Sequence, residues 1–563
     1  MNIKYKKEIF ILLIILFIAA GVRMFRLDSA PRGAHIDEVH FGYLAYSIGE
    51  TSKDEHGKKL PIIFKGFGDD KLPFEAYSLV PVVKLFGLNN ISIRIPSVMA
   101  GIGIVLITYL LAGELALKSS TRLFAALVAA ISPWSFFLSR FGFESNLGLV
   151  LFMFALLSMF IAIRTKKNVW AAVSMIALGL TWYAYIAYRP VSLLLAIVFA
   201  TFFALKVKKS VSKLAIFLLA FGLIVLPLVL PSTVGTNTTR LEQVGILSDP
   251  GLAMRVNENR SFCVTRFPKF LCYAAYNKPV MALDRLVSRY FTALSPNFLF
   301  LSGETEPGMM TVQGFAQFQS VLLPLYLIGL AVIFLGRSKL TGIQKTIIIL
   351  GLLASPVPAA FVGDPQIVRL SVLYPFILII IAIGFDYFLS LVSSRKNKKL
   401  LSILFISLTV AVVLFQSALY FISWFGIQTT KNSQYYQSYV PELVEFIENK
   451  PEARVNIVPF FSDPIMFYAY YSKYDPNLYQ SQAILGELER SGFQHTVELG
   501  RISAKNYPIE AFICSLKEGQ EGYYITDINL SGYKEDKAIF TDNGVDKLVR
   551  FYRVARGSEN HCE

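Results

Sequence analysis

Long apolar runs alternate with short polar links through the first three quarters of the chain. The first run covers Ile9–Phe25, and others lie near 96–115, 122–139, 147–164, 170–187, 190–206, 212–231, 318–336, 344–362, 371–391 and 399–424. At a helical rise of about 1.5 Å per residue, each is long enough to cross roughly 30 Å of hydrocarbon. Lipid offers the backbone no hydrogen-bond partners, so spanning segments of this kind form helices. The pattern predicts an all-α polytopic membrane bundle of about 11 transmembrane helices. Two long loops interrupt it, at about 26–95 and 232–317. Beyond residue 425 the periodicity changes. Tyr435–Asn449 sets Val440, Leu443, Val444 and Ile447 on one side of a helix. Arg454–Pro459, Tyr523–Thr526 and Leu548–Val554 read as strands. The expected organisation is a membrane domain over 1–425 and a small α/β domain over 426–563. No repeat of 20–50 residues is present.

One stretch of the first loop departs from its surroundings. In Gly33–Ile48 two adjacent carboxylates, Asp37 and Glu38, head a short helical pattern in which Phe41, Leu44, Ala45 and Ile48 recur at helix spacing. This predicts a helix at the membrane surface with a carboxylate at the water–lipid boundary, where it can act on a lipid-borne substrate. The same acids also suit a plain helix cap.

Of the 563 residues 54% are hydrophobic and 17% charged, with a net charge of +15. That charge does not indicate nucleic acid, because Lys and Arg gather in the links. With the N-terminus in the cytoplasm, alternate links carry Lys118 and Arg122; Arg164, Lys166 and Lys167; Lys206, Lys208, Lys209 and Lys213; Arg337, Lys339 and Lys345; Arg395, Lys396, Lys398 and Lys399. The positive-inside rule then holds throughout and puts both long loops and the C-terminal domain outside. Lys4, Lys6 and Lys7 before the first run also suit a signal peptide, but the run is long and no Ala-x-Ala site follows. Four cysteines, Cys263, Cys272, Cys514 and Cys562, fall in regions placed outside and allow two disulfides of unspecified pairing.

The middles of the spans hold almost no ionisable residue, whereas ion-coupled transporters keep charges there. The unusual charges collect at the outer ends instead. Arg140 and Glu144 lie between the third and fourth spans, Arg189 between the fifth and sixth, and Asp364 and Arg369 between the ninth and tenth. Asp37, Glu38, Lys71 and Arg94 belong to the first loop. Arg140 and Glu144 also suit an i,i+4 helix pair, and Arg189 a snorkelling contact with headgroups. His35 and His40 bracket the two acids and are candidate ligands for a divalent metal, although the ligand set is incomplete.

In order along the chain, these residues carry a resemblance. Asp37-Glu38 follows the first span, and Lys71-Leu-Pro73 comes later in the same loop. Arg94-Ile-Pro-Ser97 enters the second span, and Ser132-Pro-Trp leads to Ser139-Arg140 and Glu144. Tyr183-Ala-Tyr185, Tyr188-Arg189-Pro190, Ser295-Pro-Asn-Phe-Leu-Phe300, Pro358, Asp364 and Arg369 follow. The chain resembles, over about residues 9–425, the membrane glycosyltransferases of the C-type fold that use polyprenyl-phosphate sugars, in the group of protein O-mannosyltransferases and aminoarabinose transferases. The tail is similar to the accessory domain of bacterial relatives, with Asp475-Pro-Asn-Leu-Tyr479-Gln480 as its best match. One departure is Leu72, where many relatives have a second proline.

The resemblance implies sugar transfer from a polyprenyl-phosphate carrier to a hydroxyl of a protein, lipid or envelope glycan on the extracytoplasmic face, by inverting displacement. Asp37 is then the expected base, Glu38 its neighbour in the site, and Glu144 the group that orients an arginine or the acceptor. Cations must neutralise the leaving phosphate: Arg140, Arg189 and Arg369, with Lys71 and Arg94 behind them. Asp364 accompanies them, and Tyr183 and Tyr185 sit at interface depth to stack on sugar faces. No cofactor is required by this scheme, and a divalent metal is compatible with it. Two other classes compete. A lipid-linked glycan flippase needs a polar path through the bundle, and few such residues exist. A structural envelope scaffold leaves the outer acids and arginines unexplained.

Overall fold

A computed structural model describes residues 3–67, 69–230, 245–246, 249–304, 312–392, 398–489, 493–540, 544, 547–556 and 562. Arg395 and Lys396 of the expected basic links lie outside the described residues, as does part of the second long loop. The chain divides into two compact units. The first comprises Met1–Phe25, Ser97–Arg140 and Glu144–Phe421; the second comprises Arg26–Pro96, Phe141–Phe143 and Ile422–Glu563. The first loop and the C-terminal segment therefore belong to the same unit.

The first unit is helical. Among the described residues seven helices of the chain are long and apolar enough to cross a membrane: Asn90–Glu114, Glu144–Thr165, Tyr188–Val207, Val211–Val229, Gly342–Val362, Ser371–Val392 and Leu400–Lys431. Ser119–Ile131, Asn168–Ala184 and Ser320–Phe334 are shorter apolar helices. Proline explains part of this shortening. The expected run 122–139 breaks at Ser132, which is extended ahead of Pro133, and a short helix Pro133–Leu138 follows.

Burial sorts the helices. Glu144–Thr165 and Ser371–Val392 are largely enclosed, at 72% and 67%, while Val211–Val229 and Leu400–Lys431 are only 22% and 17% buried although apolar all round. Side chains such as Leu408 and Phe415 stand exposed on the outer helices. Water would penalise such a surface and lipid does not, so these faces are the bilayer contact. Small residues set the closest approach inside. Helices Leu323–Phe334 and Tyr374–Val392 pack together, and a β-carbon on Gly329 or Gly384 would strike the facing backbone at the Ile380 or Leu325 carbonyl.

The second unit is α/β. Helix α1 (Ile36–Thr51) is followed by a hairpin of β1 (Phe64–Gly66) and β2 (Asp69–Lys71), then by α2 (Pro73–Phe86). The C-terminal segment forms β3 (Arg454–Ile457), β4 (Ala483–Leu485), β5 (Thr496–Leu499), β6 (Ile502–Ser503), β7 (Glu521–Thr526), β8 (Glu535–Phe540) and β9 (Lys547–Ala555). These make one sheet in the order β4-β5-β6-β3-β7-β9-β8, with β3 parallel to β6 and β7 and the other pairs antiparallel. The amphipathic helix expected from Tyr435 begins only at Val440, because Ser433–Tyr436 is a 3-10 turn and Gln437 adopts a left-handed φ of 47°. Its buried Val440, Leu443, Val444 and Ile447 join a core that also takes Phe41, Leu44 and Ile48 of α1 and Val455 and Ile457 of β3. Cys263–Cys272 and Cys514–Cys562 are the two disulfides.

Candidate functional site

The head of α1 is built by a reciprocal cap. The Asp37 backbone N–H donates to His35 Nδ1 at 3.2 Å, and the His35 N–H donates to Glu38 Oε2 at 2.9 Å. Asp37 and Glu38 are adjacent in sequence, but a helix turns them about 100° apart, and they meet different surroundings.

Glu38 is wholly buried. Its Oε1 accepts from Arg94 Nε (2.9 Å) and Gly142 N (2.9 Å), and its Oε2 from Arg94 Nη2 (3.2 Å) and His35 N. Arg94, equally buried, spends its remaining donors on the carbonyls of Leu27, Pro31 and Gly33. Four acceptor positions and five donors are thus all in use. This differs from the expectation that Arg94 faces a substrate and that Glu38 stands with Asp37: in this arrangement neither has a position left for a ligand. The pair pins the loop 27–33 to the start of α1. Gly142 must be glycine here, because a β-carbon would meet the Ile93 carbonyl at 2.8 Å.

Asp37 faces the other way, 26% exposed, with Lys71 Nζ 2.7 Å from its Oδ1. Burial alone would raise this carboxyl. The Lys71 ammonium, with His35 beside it, overrides burial and holds Asp37 well below the usual carboxylate range. Lys71 comes from β2, so the hairpin delivers the cation to the helix head. The ring of His40 packs over Gly66 of that hairpin, where a β-carbon would collide with it, and its Nε2 lies 2.7 Å from Glu55 Oε1. His35 and His40 thus have separate partners. Among the described residues no group of three or more His, Cys, Asp or Glu side chains is arranged to hold a metal ion.

The C-terminal segment braces the same helix. Gln480 Nε2 donates to Ser47 Oγ, Thr51 Oγ1 and the Asp54 carbonyl, and Tyr43 donates to the Tyr474 carbonyl. The Asp475–Gln480 motif singled out in the sequence therefore holds α1 in place.

Within the first unit the other expected residues have varied surroundings. Buried Arg140 donates from Nη1 to the carbonyls of Arg23 (2.8 Å) and Phe25 (2.6 Å), closing the end of the first helix, Ile3–Met24. Glu144 opens the helix Glu144–Thr165, where a negative charge is favoured. Tyr183 donates to the Ile224 carbonyl at 2.6 Å. Tyr185 ends its helix and meets the Tyr188 ring edge-on. The Arg189 guanidinium lies 5.6 Å from the Trp182 ring centroid. Asp364 pairs with Arg289 Nε at 2.9 Å. Arg369 packs its half-buried guanidinium against Gly363 and has no ion-pair partner among the described residues. Sequence reasoning missed Arg23 and Arg289. Arg23 is fully buried and donates to Ala130 O and Ser135 Oγ. A lone arginine ending an apolar run was the available signal.

Residues 70–234 match the family described as dolichyl-phosphate-mannose-protein mannosyltransferase. That segment holds Lys71, Arg94, Arg140, Glu144, Tyr183, Tyr185 and Arg189; Asp37, Asp364 and Arg369 lie outside it. No curated protein matches the chain. Among solved structures, ArnT from Cupriavidus metallidurans bound to undecaprenyl phosphate is similar at 11% identity with a TM-score of 0.52, covering 97% of each chain. An oligosaccharyltransferase from Archaeoglobus fulgidus in its apo form is similar at 14% identity with a TM-score of 0.50, over 83% of this chain and 64% of that one. The resemblance read from the sequence is thus matched at the level of fold: a helical membrane protein with a C-terminal sheet.

Because Glu38 and Arg94 saturate each other, removing one strands a buried charge. Glu38→Ala or Arg94→Ala should each cost about 3–5 kcal/mol of stability. The double variant should lose less than the sum of the two, which thermal unfolding of the purified protein in detergent will measure.

Proposed function

We propose that the protein is an integral-membrane glycosyltransferase that moves a sugar from a polyprenyl-phosphate carrier to a hydroxyl acceptor. The observation that carries this reading is the Asp37–Lys71 pair: an accessible carboxylate kept ionised, on a helix whose second acid is spent on anchoring. The family match over residues 70–234, which takes in Lys71, and the shared fold with a structure bound to undecaprenyl phosphate support it. In full, the bundle has about eleven spans: the seven long apolar helices, the three shorter ones and Ile3–Met24. The N-terminus is cytoplasmic, and the first loop and C-terminal domain are extracytoplasmic, as the basic links require.

The acceptor hydroxyl attacks the anomeric carbon as the carbon–phosphate-oxygen bond breaks, and its proton passes to Asp37. One base and a phosphate leaving group suit a single inverting displacement. A phosphate needs no general acid, only cations. A carboxylate held as low as Asp37 is a weak base, which suits proton removal late in the step. A donor phosphate that draws on Lys71 would weaken the hold on Asp37 and make it a better acceptor once the donor is bound. Arg369, half-buried and without an ion-pair partner among the described residues, is the second phosphate cation, and Arg189 the third. Glu38 and Arg94 position the backbone that carries Asp37, and Arg140 closes the end of the first helix. Glu144 orients the acceptor, and the acceptor class is a hydroxyl of protein, lipid or envelope glycan.

Asp37→Asn should fold normally and bind carrier lipid, and its turnover should fall about 10²–10⁴-fold. Retained release of polyprenyl phosphate from a labelled donor would remove Asp37 from the base role. In the wild type the depressed Asp37 keeps the base ionised down to acid pH, so activity is lost only as pH falls below the usual carboxylate range. Lys71→Met takes away the cation and leaves burial, which raises the carboxyl, so the acid limb of kcat/KM should move upward in pH. An unmoved limb would contradict the pairing. Arg369→Ala should raise KM for the lipid donor about 10–100-fold, in line with the loss of a charged hydrogen bond of about 1.5–3 kcal/mol; an unchanged KM would count against it.

A further inference from the structure

The second long loop is not a plain connection. Its described part contains helices Pro250–Cys263, Lys269–Ala275 and Lys278–Leu294, all within the first unit. Lys278–Leu294 is amphipathic in an inverted sense. Its buried residues are Ala282, Arg289 and Ala293, while Val280, Leu283, Val287 and Phe291 form an exposed apolar stripe at helix spacing. Such a stripe is unfavourable against water and needs an apolar cover.

The anchoring of this helix indicates what the cover is. Tyr290 donates to the Leu353 carbonyl at 2.8 Å, Arg289 reaches the Ala360 carbonyl at 3.4 Å, and Arg289 pairs with Asp364. Leu353 and Ala360 belong to the membrane-spanning candidate Gly342–Val362. The helix is therefore fastened along the second half of that span, from Leu353 beside the break at Ser355 to Ala360 and Asp364 at its end. Beside it, the Cys263–Cys272 disulfide closes a short turn that leaves Phe262, Phe267 and Phe270 exposed. Arg266 and Lys269 alternate with these rings and are exposed too. From 250 to 294 basic residues outnumber acidic ones seven to two. Aromatic and aliphatic side chains among cations are the chemistry of an element lying in a bilayer interface with anionic headgroups.

We propose that residues 250–294 form an in-plane lipid-binding element that seats its Val280–Phe291 stripe and its disulfide-closed aromatic turn in the surface of an anionic phospholipid bilayer. The stripe enters the acyl boundary, and Arg266 and Lys269 hold lipid phosphates.

The test uses the full-length protein in nanodiscs, with a spin label at Val287→Cys in one sample and at Phe270→Cys in another. Accessibility to oxygen and to a water-soluble nickel chelate is read by electron paramagnetic resonance. The expected result in phosphatidylglycerol-containing discs is high oxygen and low nickel accessibility at both positions, with Glu258→Cys as a label that remains nickel-accessible. Arg266→Glu with Lys269→Glu should raise nickel accessibility at position 270 several-fold and leave position 287 immersed. Nickel-accessible labels at 270 and 287 would overturn the proposal. Low accessibility to both reagents would also overturn it, because it would mean a protein cover such as a second copy of the chain. Equal immersion at 270 in phosphatidylcholine alone would overturn the assignment of anionic headgroups.

Discussion

The buried Glu38–Arg94 ion pair is the constraint on which the candidate site depends. Two charges removed from water are costly unless every donor and acceptor is met, and here they are: four bonds reach the carboxylate and five leave the guanidinium. The pair ties together the loop after the first helix, the start of α1, the entry to the helix Asn90–Glu114 and the tight segment at Gly142. With that junction fixed, the orientation of α1 is set, and its neighbouring acid can turn only one way. Asp37 is accessible because Glu38 is not.

The two acids therefore divide one short helix into an anchor and a proposed reactive group. Lys71 completes the second half from a hairpin, and the His40 ring beneath Gly66 supports that hairpin. Gln480 and Tyr474 brace the far end of the same helix. A soluble sheet domain at the end of a membrane protein gains a physical purpose from this. It gives α1 an apolar core to pack into, so the helix that carries Asp37 is held firmly.

Much of the architecture was legible in the sequence. Apolar runs marked the membrane helices because a helix in lipid needs about the same length wherever it occurs. The breaks at Ser132 and Ser355 were smoothed over, although Pro133 and Pro356 announce them, because hydropathy averages across a turn. Strands β3, β7 and β9 showed their pattern, whereas Ile502–Ser503 is too short to have one and β8, at an edge, opens on three successive charged residues, Glu535, Asp536 and Lys537. The head of α1 stood out because two acids preceded a helical apolar stripe. Which acid would be buried was not legible, since that depends on Arg94, which is 56 residues away from Glu38. The phosphate-type arginines looked alike in sequence and separated only in the structure: Arg140 closes a helix, while Arg369 has no ion-pair partner among the described residues. The helix Lys278–Leu294 lay inside a stretch read as a loop, because its apolar stripe faces outward and it is too polar to stand out as a span.

On the proposed reading, a single carboxylate poised by a single lysine suits one displacement at the sugar carbon, because the second acid of α1, Glu38, is spent on Arg94. The anomeric configuration of the product tests this most directly. Purified protein supplied with a polyprenyl-phosphate sugar of defined anomer and a hydroxyl acceptor should yield a glycoside of the opposite configuration by nuclear magnetic resonance. A product that keeps the donor's configuration would contradict the role given to Asp37.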